Sequence, residues 1–382
     1  MPAEFDFDIP IDRSHTASEK WERYLGRDII PLWVADMDFR SPPAVLAALH
    51  ARIDHGVFGY TAPPETLIAT VVAHLHDRYG WAVEPSWLVW LPGLVCGLNV
   101  ACRAVGATGD EVLTSTPIYP PFMTAPTLAG RGTIKVSLHR NRTRWELDLE
   151  ALERAISPRT RMMLLCNPHN PTGRVWTETE LRMLAGLAER HDLIVCSDEI
   201  HAGLILDNDK AHLPIAMLGP EIARRTLTLH APSKTFNIPG LGCSFAVVSD
   251  PTLRKSFKRA MAGIVPHVNL LGYTATEAAY RYGEPWRQAL LAYLRGNHEL
   301  VQTAVAAMPG LSTTPVEATY LAWIDARGLA LADPAAFFEA AGVGLSDGAA
   351  FGLPGFLRLN FGCPRALLAE ALERMQRALS SS

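Results

Sequence analysis

The sequence predicts an α/β protein: a mostly parallel sheet with helices on both faces, followed by a smaller α+β domain. Through the middle of the chain, short apolar runs alternate with amphipathic stretches, which is typical of strand–helix–strand units in parallel sheets. After about residue 275 this alternation gives way to a long helical stretch and later strands. With 382 residues, of which 48% are hydrophobic and 19% charged, the chain can form the cores of about two or three domains.

Each predicted element has a local reason. Residues 87–91 form an apolar run that a Pro-Gly turn ends, which predicts a buried strand and then a buried helix from Leu94. A helix from Thr177 is predicted by its Thr cap, acidic first turn and amphipathic period. A long helix is predicted over 285–308. The other predicted strands are RMMLLCNP from Arg161, DLIVCSDE from Asp192, RTLTLHAPS from Arg225, GCSFAVVSD from Gly242, TYLAWID and FLRLNFG.

The charge balance and the terminal residues exclude several classes of protein. Thirty-five basic and 39 acidic residues give a net charge of −4, which argues against binding of nucleic acid or an anionic membrane through a basic surface. The acidic N-terminus has no apolar signal core, so a cytoplasmic location is predicted. The uncharged stretch 85–102 is interrupted by Pro, Gly and Asn, so we predict no membrane span. No cysteine pair or histidine motif has metal-ligand spacing, so no metal site is predicted.

Unusual residues collect at four predicted strand ends. They are TPIYPPF around Tyr119, NPHNPTG around Asn170, SDEIH around Asp198 and SKTFN around Lys234. Because ligands bind at the carboxyl ends of strands in such sheets, these side chains are expected to contribute to one site. Each motif alone also has an ordinary interpretation, as a turn-rich loop, a helix cap or a surface lysine.

Taken together, the four motifs point to a cofactor. A lysine in apolar surroundings has a lowered pKa and can act as an amine nucleophile. An aspartate can hold a protonated ring nitrogen, an asparagine can donate to a ring oxygen, and a tyrosine can stack on a flat ring. Gly93 precedes a helix N-terminus, which is a ready phosphate site. Pyridoxal 5′-phosphate is the flat, charged, phosphorylated aldehyde that fits this set.

The order NPxNPTG, then (S/D)DEI, then SK(T)F resembles the class I/II aminotransferase superfamily, which implies the aspartate aminotransferase fold (fold type I of the pyridoxal-phosphate enzymes). Longer motifs narrow the resemblance to the MalY/PatB cystathionine β-lyase (C–S lyase) family. They are PLWVADMDF, HGVFGYT, TPIYPPF, CNPHNPTGRVW, SDEIHAGL, APSKTFNIPGL, EATYLAWID and PGFLRLNFGCPR. The resemblance runs from about Pro31 to the C-terminus. We expect an N-terminal arm (1–45) that packs with the small domain, a large cofactor-binding domain (46–275) and a small C-terminal domain (276–382).

The resemblance implies roles for the cofactor-binding residues. Lys234 would bind the cofactor covalently and serve as the proton-transfer base, Asp198 would pair with the pyridinium nitrogen, and Asn170 would bond the phenolic oxygen. Tyr119 would stack on the ring face, and His201 would lie near the phenolic oxygen. The phosphate would be bound by Ser233, by the backbone of Val95 and Cys96, and by the partner subunit's Tyr60. Ala231 and Gly242 stand where the broader superfamily commonly has a phosphate-binding serine and arginine, so phosphate binding is expected to rely on these other contacts.

The resemblance also implies a substrate and a reaction. Arg358 would form a bidentate pair of hydrogen bonds with the α-carboxylate of an amino acid, beside Ala35 and Asn170. The expected reaction is α,β-elimination of cystathionine or another S-substituted L-cysteine to pyruvate, ammonia and a thiol. Tyr60 and Tyr119 are candidates to protonate the leaving thiolate. A homodimer with active sites at the interface is expected.

Three other functions share part of this sequence pattern or fold. Transamination uses the same lysine, aspartate and arginine, and only its products distinguish it. The segment 344–348 matches the GxSxG pattern of hydrolases, but the last histidine, His298, precedes Ser346, which is the wrong order for that triad. A non-enzymatic binding protein on this fold would not need Lys234, Asp198, Asn170 and Arg358 together.

Overall fold

The computed structural model describes residues 5–141 and 143–380. The strands are β1 (Ile30–Pro31), β2 (Leu88–Leu91), β3 (Glu111–Thr116), β4 (Gly132–Ser137), β5 (His139–Arg140), β6 (Trp145–Glu146), β7 (Thr160–Cys166), β8 (Ile194–Asp198), β9 (Thr226–His230), β10 (Ser244–Val247), β11 (Ser312–Thr313), β12 (Leu321–Asp325), β13 (Val343–Gly344), β14 (Ser346–Asp347) and β15 (Phe356–Asn360). The helices are α1 (Glu19–Glu22), α2 (Pro43–Asp54), α3 (Glu65–Tyr79), α4 (Leu94–Ala104), α5 (Pro121–Leu128), α6 (Leu149–Ala155), α7 (Glu178–Arg190), α8 (Pro220–Arg224), α9 (Pro251–Met261), α10 (Leu270–Tyr282), α11 (Glu284–Ala306), α12 (Pro334–Ala340) and α13 (Arg365–Ser380).

The central sheet has seven strands in the order β2-β10-β9-β8-β7-β3-β4. Strands β9, β8, β7, β3 and β4 run parallel to one another, whereas β10 is antiparallel to both β9 and β2. Strand β2 therefore points the same way as the parallel strands, and the carboxyl ends of β2, β9, β8, β7 and β3 share one edge. The predicted mostly parallel sheet is confirmed.

Both faces of this sheet are buried, which explains the nearly continuous apolar strands. Leu164 of β7 packs into a core with helices α4, α5 and α9, while its neighbour Met163 packs into a second core with α6 and α7. Successive side chains of a strand point to opposite faces, so a strand covered on both sides must be apolar throughout. Helix α7 begins as predicted, because Thr177 and Glu180 form a reciprocal capping box.

A second, four-stranded sheet in the order β11-β12-β15-β14 follows in the chain and packs with helices α11 and α13. The N-terminal segment joins this region, because β1 pairs in parallel with β13 and Phe7 packs into the same apolar core. The predicted boundaries at 45 and 275 fall inside α2 and α10. Residues 1–4 and 381–382 of the predicted domains lie outside the described residues, and the domain limits remain a prediction.

The arm is fastened by a buried ion pair. The Nζ atom of Lys20 lies 2.7 Å from Oδ2 of Asp38, and both side chains are fully buried. Arg13 and the indole of Trp21 also donate to Asp38, at 2.7 and 2.9 Å. Lys20 further donates to the carbonyl oxygen of Asp36. These contacts fix residues 33–39, which we call the arm loop, in the middle of the molecule.

No helix within residues 5–141 and 143–380 is long and apolar enough to cross a membrane. Across the same residues, no group of three or more His, Cys, Asp or Glu side chains is arranged to hold a metal ion.

We predict that Lys20→Ala lowers the free energy of unfolding by about 3 kcal/mol, because the buried Asp38 carboxylate loses one of its two cationic partners. Urea titration followed by tryptophan fluorescence measures the change. Arg27→Ala is the matched control, since it removes an exposed ion pair of the same arm with Glu339, at 2.9 Å, and should cost under about 1 kcal/mol. Equal losses in the two variants would contradict the importance of the buried pair.

Candidate active site

A cavity of about 250 Å³ lies at the shared carboxyl edge of the central sheet. It brings together most of the predicted site residues, which are Ala35, Val95, Tyr119, Asn170, Asp198, His201, Ser233, Lys234 and Arg358. Cys96 is half-buried and is not part of the lining, and Tyr60 lies elsewhere. The expectation that polar residues of separate strand ends meet at one edge is therefore correct for Tyr119, Asn170, Asp198 and Lys234.

Lys234 lies just beyond β9 and donates a hydrogen bond to the carbonyl oxygen of Ala35. Burial lowers the pKa of its amine to about 8, and the positive charge of Arg358 adds to this effect. The charges of Asp36 and Asp198 oppose it. At pH 7 roughly a tenth of the amine is therefore neutral, far more than for an ordinary lysine, and the neutral form is the one that a nucleophile or a base requires.

Asp198 ends strand β8 and lines the cavity. Its Oδ1 accepts a hydrogen bond from the backbone N–H of Ile200, at 3.1 Å. Burial raises the pKa of this carboxyl to about 7, and the nearby charge of Glu199 also raises it, while Lys234 lowers it. A cationic group in the cavity would stabilise the ionised form of Asp198.

Glu199, the next residue, takes part in a different buried cluster. It accepts hydrogen bonds from Ser197 at 2.8 Å and contacts the ring nitrogen of His212 at 2.7 Å, with His230 at 3.3 Å. Burial alone would raise the pKa of Glu199, but the two histidines lower it to about 2. The two adjacent acids therefore have separate roles, because Asp198 lines the cavity and Glu199 does not.

Arg358, on β15, is buried and surrounded by neutral acceptors. Its Nη1 donates to Oδ1 of Asn170 at 3.2 Å, and its Nη2 donates to the carbonyl oxygen of Trp33 at 2.8 Å. The guanidinium also lies over the ring of Phe351, 4.7 Å from its centroid. Burial lowers the pKa of Arg358 to about 10, so the side chain stays charged at neutral pH.

Two further aromatic residues close the cavity. Tyr119 follows β3, and its backbone N–H donates to the carbonyl of Asn170, at 3.2 Å. Burial raises the pKa of the Tyr119 hydroxyl. Burial and the charges of Lys234 and Arg358 lower the pKa of His201 to about 3, which keeps its imidazole neutral.

One end of the cavity is suited to an anion. Gly93 and the first turn of α4 line it, and that turn contains no acidic side chain and no side-chain cap. Unpaired N–H groups at a helix N-terminus attract phosphate. Ser233 lines the cavity as well. Ala231 and Gly242, the two departures from the superfamily pattern, are also in the lining and supply no charge there.

The arm loop contributes Val34 and Ala35 to the cavity lining and is held by two asparagines. Asn237 exchanges two hydrogen bonds with the backbone of Met37, both 2.9 Å long, and donates to the carbonyl of Phe39 at 2.8 Å. Asn360 donates to the carbonyls of Val34 and Asp36, at 2.6 and 2.7 Å. The loop carbonyls are therefore fixed acceptors for the cations of the site.

Tyr60 lies away from the cavity of its own chain, and its side chain is exposed. It lines a separate surface groove of about 940 Å³ together with Phe58 and residues 266–271. The expectation that Tyr60 serves a neighbouring subunit stays a prediction.

Three residues that hold the site are not predicted from the sequence. Trp33 supplies a carbonyl to Arg358, Tyr320 donates to the Ala35 carbonyl at 2.9 Å, and Ser346 contacts Arg358 at 3.4 Å. Ser346 belongs to the GxSxG match, but it sits on the short strand β14 and donates to the Trp33 carbonyl. The motif EATYLAWID contains Tyr320 and was the one available signal for it.

The side chains present fit pyridoxal 5′-phosphate, the cofactor that the sequence implies. The cavity offers an amine nucleophile, an acid, an uncapped helix N-terminus and an aromatic wall. Among the described residues, Nδ1 of His201 and Nε of Arg358 are buried without a hydrogen-bond partner. Unsatisfied buried polar atoms are costly, so a ligand in contact with them would be favoured.

The chain is similar in sequence and structure to known proteins. The family model described as aminotransferase class I and II matches residues 27–375. The chain is 36% identical to cystathionine β-lyase PatB of Bacillus subtilis, over 98% of this chain and 100% of that protein. A crystal structure of OvoB superposes with a TM-score of 0.97 at 49% identity, covering 99% and 100% of the two chains. A PLP-bound C–S lyase of Staphylococcus hominis has a TM-score of 0.93 at 31% identity, covering 99% of both.

We predict that Lys234 of the cofactor-free protein reacts with pyridoxal 5′-phosphate at a rate that rises with pH and levels off above about pH 8. Below its pKa of about 8 the amine is protonated, and protonation blocks nucleophilic attack. Stopped-flow visible absorbance between about pH 7 and pH 10 measures the profile. Lys255→Ala, which removes an exposed lysine, should leave it unchanged. A rate that keeps rising toward the ordinary lysine value of 10.5 would contradict the lowered pKa.

Proposed function

Because this chain belongs to the class I and II aminotransferase family, and within it to the MalY/PatB cystathionine β-lyases, we propose that it is a pyridoxal-phosphate-dependent C–S β-lyase. It would cleave cystathionine or a related S-substituted L-cysteine to pyruvate, ammonia and a thiol. The observation that carries the proposal is the convergence of Lys234, Asp198 and Arg358 on one cavity. The names of the relatives favour C–S cleavage among the reactions that such a site can perform.

The site residues divide the work between binding and proton transfer. When bound, pyridoxal 5′-phosphate supplies an electron sink that acidifies the Cα proton and favours loss of a β-thiolate. Arg358 orients the substrate by its carboxylate. Lys234, with its lowered pKa, accepts the Cα proton. Asp198 would supply the negative charge that pairs with the ring nitrogen of the bound cofactor.

The remaining contacts hold the cofactor in place. Asn170 and the neutral His201 would donate to its phenolic oxygen, and Tyr119 would cover one face of its ring. The N-terminus of α4, with the backbone of Val95 and Cys96, and Ser233 would hold the phosphate. Ala35 would lie beside the substrate carboxylate. Burial of the cavity strengthens these electrostatic contacts, because water no longer competes for them.

We also propose that the protein is a homodimer in which Tyr60 reaches the partner's cofactor. Support comes from the exposure of Tyr60, Phe58 and Val57 beside a large groove, since contiguous exposed apolar side chains mark interaction sites. In this arrangement Tyr60 or Tyr119 protonates the leaving thiolate. The cytoplasmic location stays a prediction from the sequence.

Transamination is the second candidate, because the same lysine, aspartate and arginine would serve it. The two reactions differ in what happens after the Cα proton is removed. Elimination releases pyruvate and a thiol, whereas transamination transfers the amino group to a keto acid. Product analysis therefore distinguishes them.

We expect purified protein to convert L-cystathionine to pyruvate and free thiol in equal amounts. Coupled pyruvate detection and a thiol reagent measure the two products in the same sample. Lys234→Ala should lower turnover by at least about 10³-fold, because both the covalent attachment point and the base are lost. Lys258→Ala, at an exposed position of α9, is the matched control and should retain full activity.

The same assay can also show a result that contradicts the lyase proposal. Visible absorbance of bound cofactor without pyruvate, together with amino-group transfer to an added keto acid, would support the aminotransferase instead. Protein that binds no cofactor would overturn both candidates.

We predict that mixing subunits reveals the role of Tyr60 across the dimer. Tyr60→Ala and Lys234→Ala are each expected to be nearly inactive. A heterodimer of the two contains one intact site out of two if Tyr60 acts on the partner, so the purified heterodimer should show about half of wild-type activity. Activity measured after co-expression and tandem-tag purification gives the answer. No restoration would place Tyr60 outside the partner's site.

A further inference from the structure

We propose that Ser346 is a positioning residue that holds Arg358 in the orientation that a substrate carboxylate requires. This inference rests on the proposed function, because it concerns how that site recognises an amino acid.

Ser346 and Arg358 are joined by both backbone and side chain. They are directly opposite each other in the antiparallel pair of β14 and β15. The Ser346 hydroxyl donates to the Trp33 carbonyl at 2.7 Å and accepts from Nη2 of Arg358 at 3.4 Å. The same Nη2 donates to the Trp33 carbonyl at 2.8 Å. The three groups form a closed triangle that fixes one edge of the guanidinium.

This triangle matters because the guanidinium has no counter-charge. In the part of the chain that the structure describes, its hydrogen-bond acceptors are an amide, a carbonyl and a hydroxyl oxygen, and no carboxylate pairs with it. Neutral acceptors hold a cation in place without neutralising it, so its charge remains available for an anionic ligand. The buried Nε atom of Arg358 has no partner within these residues, which leaves a donor for that ligand.

Ser346 is the side chain that can be removed without removing the charge or the backbone acceptor. Without its hydroxyl, the Trp33 carbonyl and Nη2 of Arg358 each lose a partner, while the contact of Nη1 with Asn170 remains. Lys234 and Asp198 have no hydrogen bond to Ser346. Carboxylate binding should therefore weaken while proton transfer is preserved.

The test compares two ligands that differ only in the carboxylate. Holoenzyme is titrated with L-alanine and with L-alaninamide, and binding is followed by visible absorbance. Ser346→Ala should bind L-alanine about tenfold more weakly, the effect of losing a hydrogen bond to a charged group. Its affinity for L-alaninamide should not change. With the thioether substrate, KM should rise about tenfold with kcat changed by less than about threefold.

Conservative variants separate positioning from general damage. Ser346→Thr keeps the hydroxyl and should restore L-alanine binding. Ser249→Ala is the matched control, because it removes another hydroxyl-to-carbonyl hydrogen bond, 2.9 Å long, from a residue outside the cavity lining. If Ser346→Ala unfolds at a lower temperature than this control, Ser346→Cys is used in its place, since it keeps the volume and weakens the hydrogen bond.

Each outcome decides the proposal. Selective loss of L-alanine affinity with rescue by threonine supports it. Unchanged affinity, equal loss for both ligands, or equal affinity of the wild type for both would overturn it. If the wild type prefers L-alanine but releases no pyruvate from thioethers, the lyase proposal fails and the role of Ser346 can still be measured.

Discussion

The site depends on one constraint, the fixed backbone of the arm loop. Its carbonyl oxygens accept hydrogen bonds from both cations of the cavity, since Ala35 accepts from Lys234 and Trp33 accepts from Arg358. Asn237 and Asn360 hold the loop from two different parts of the molecule. A fixed backbone carbonyl accepts a hydrogen bond from a cation without the entropy cost of ordering a side chain. It also adds no net charge to the site. The loop can therefore place two cations near each other without cancelling them.

Placing two cations in one buried cavity has a direct electrostatic result. Arg358 cannot release its proton near neutral pH, so the repulsion acts on the amine of Lys234 and helps to lower its pKa. The arginine that is proposed to bind substrate thus also helps to activate the lysine. A carboxylate bound to Arg358 would weaken this repulsion. The affinity of the lysine for its proton would then increase when substrate is bound, which suits a residue that must accept one.

The sequence predicts structure where the signal is local. Strand ends, the capping box of α7 and the motifs around Asn170, Asp198 and Lys234 are all encoded within a few residues. It does not predict contacts between distant parts of the chain, such as that of Trp33 with Arg358, which are separated by 325 residues. No periodicity or motif specifies which backbone carbonyl meets which guanidinium. Ser346 is a second example. It lies in a GxSxG pattern that is typical of hydrolases, but its contact in the structure is with Arg358.

The long separation between Trp33 and Arg358 affects how the protein is made. A ribosome adds about 5–20 residues per second, so the arm loop is synthesised roughly 15–65 s before β15, given the separation of 325 residues. During that time the arm-loop carbonyls lack their contacts with Arg358 and Asn360, and the charged groups of Lys20 and Asp38 lack the C-terminal part of the core around them. The large sheet can pair first, because β2 to β10 precede the C-terminal strands. The active site is therefore among the last parts of the molecule to assemble, and a chain truncated before residue 358 contains all seven strands of the central sheet but cannot complete the site.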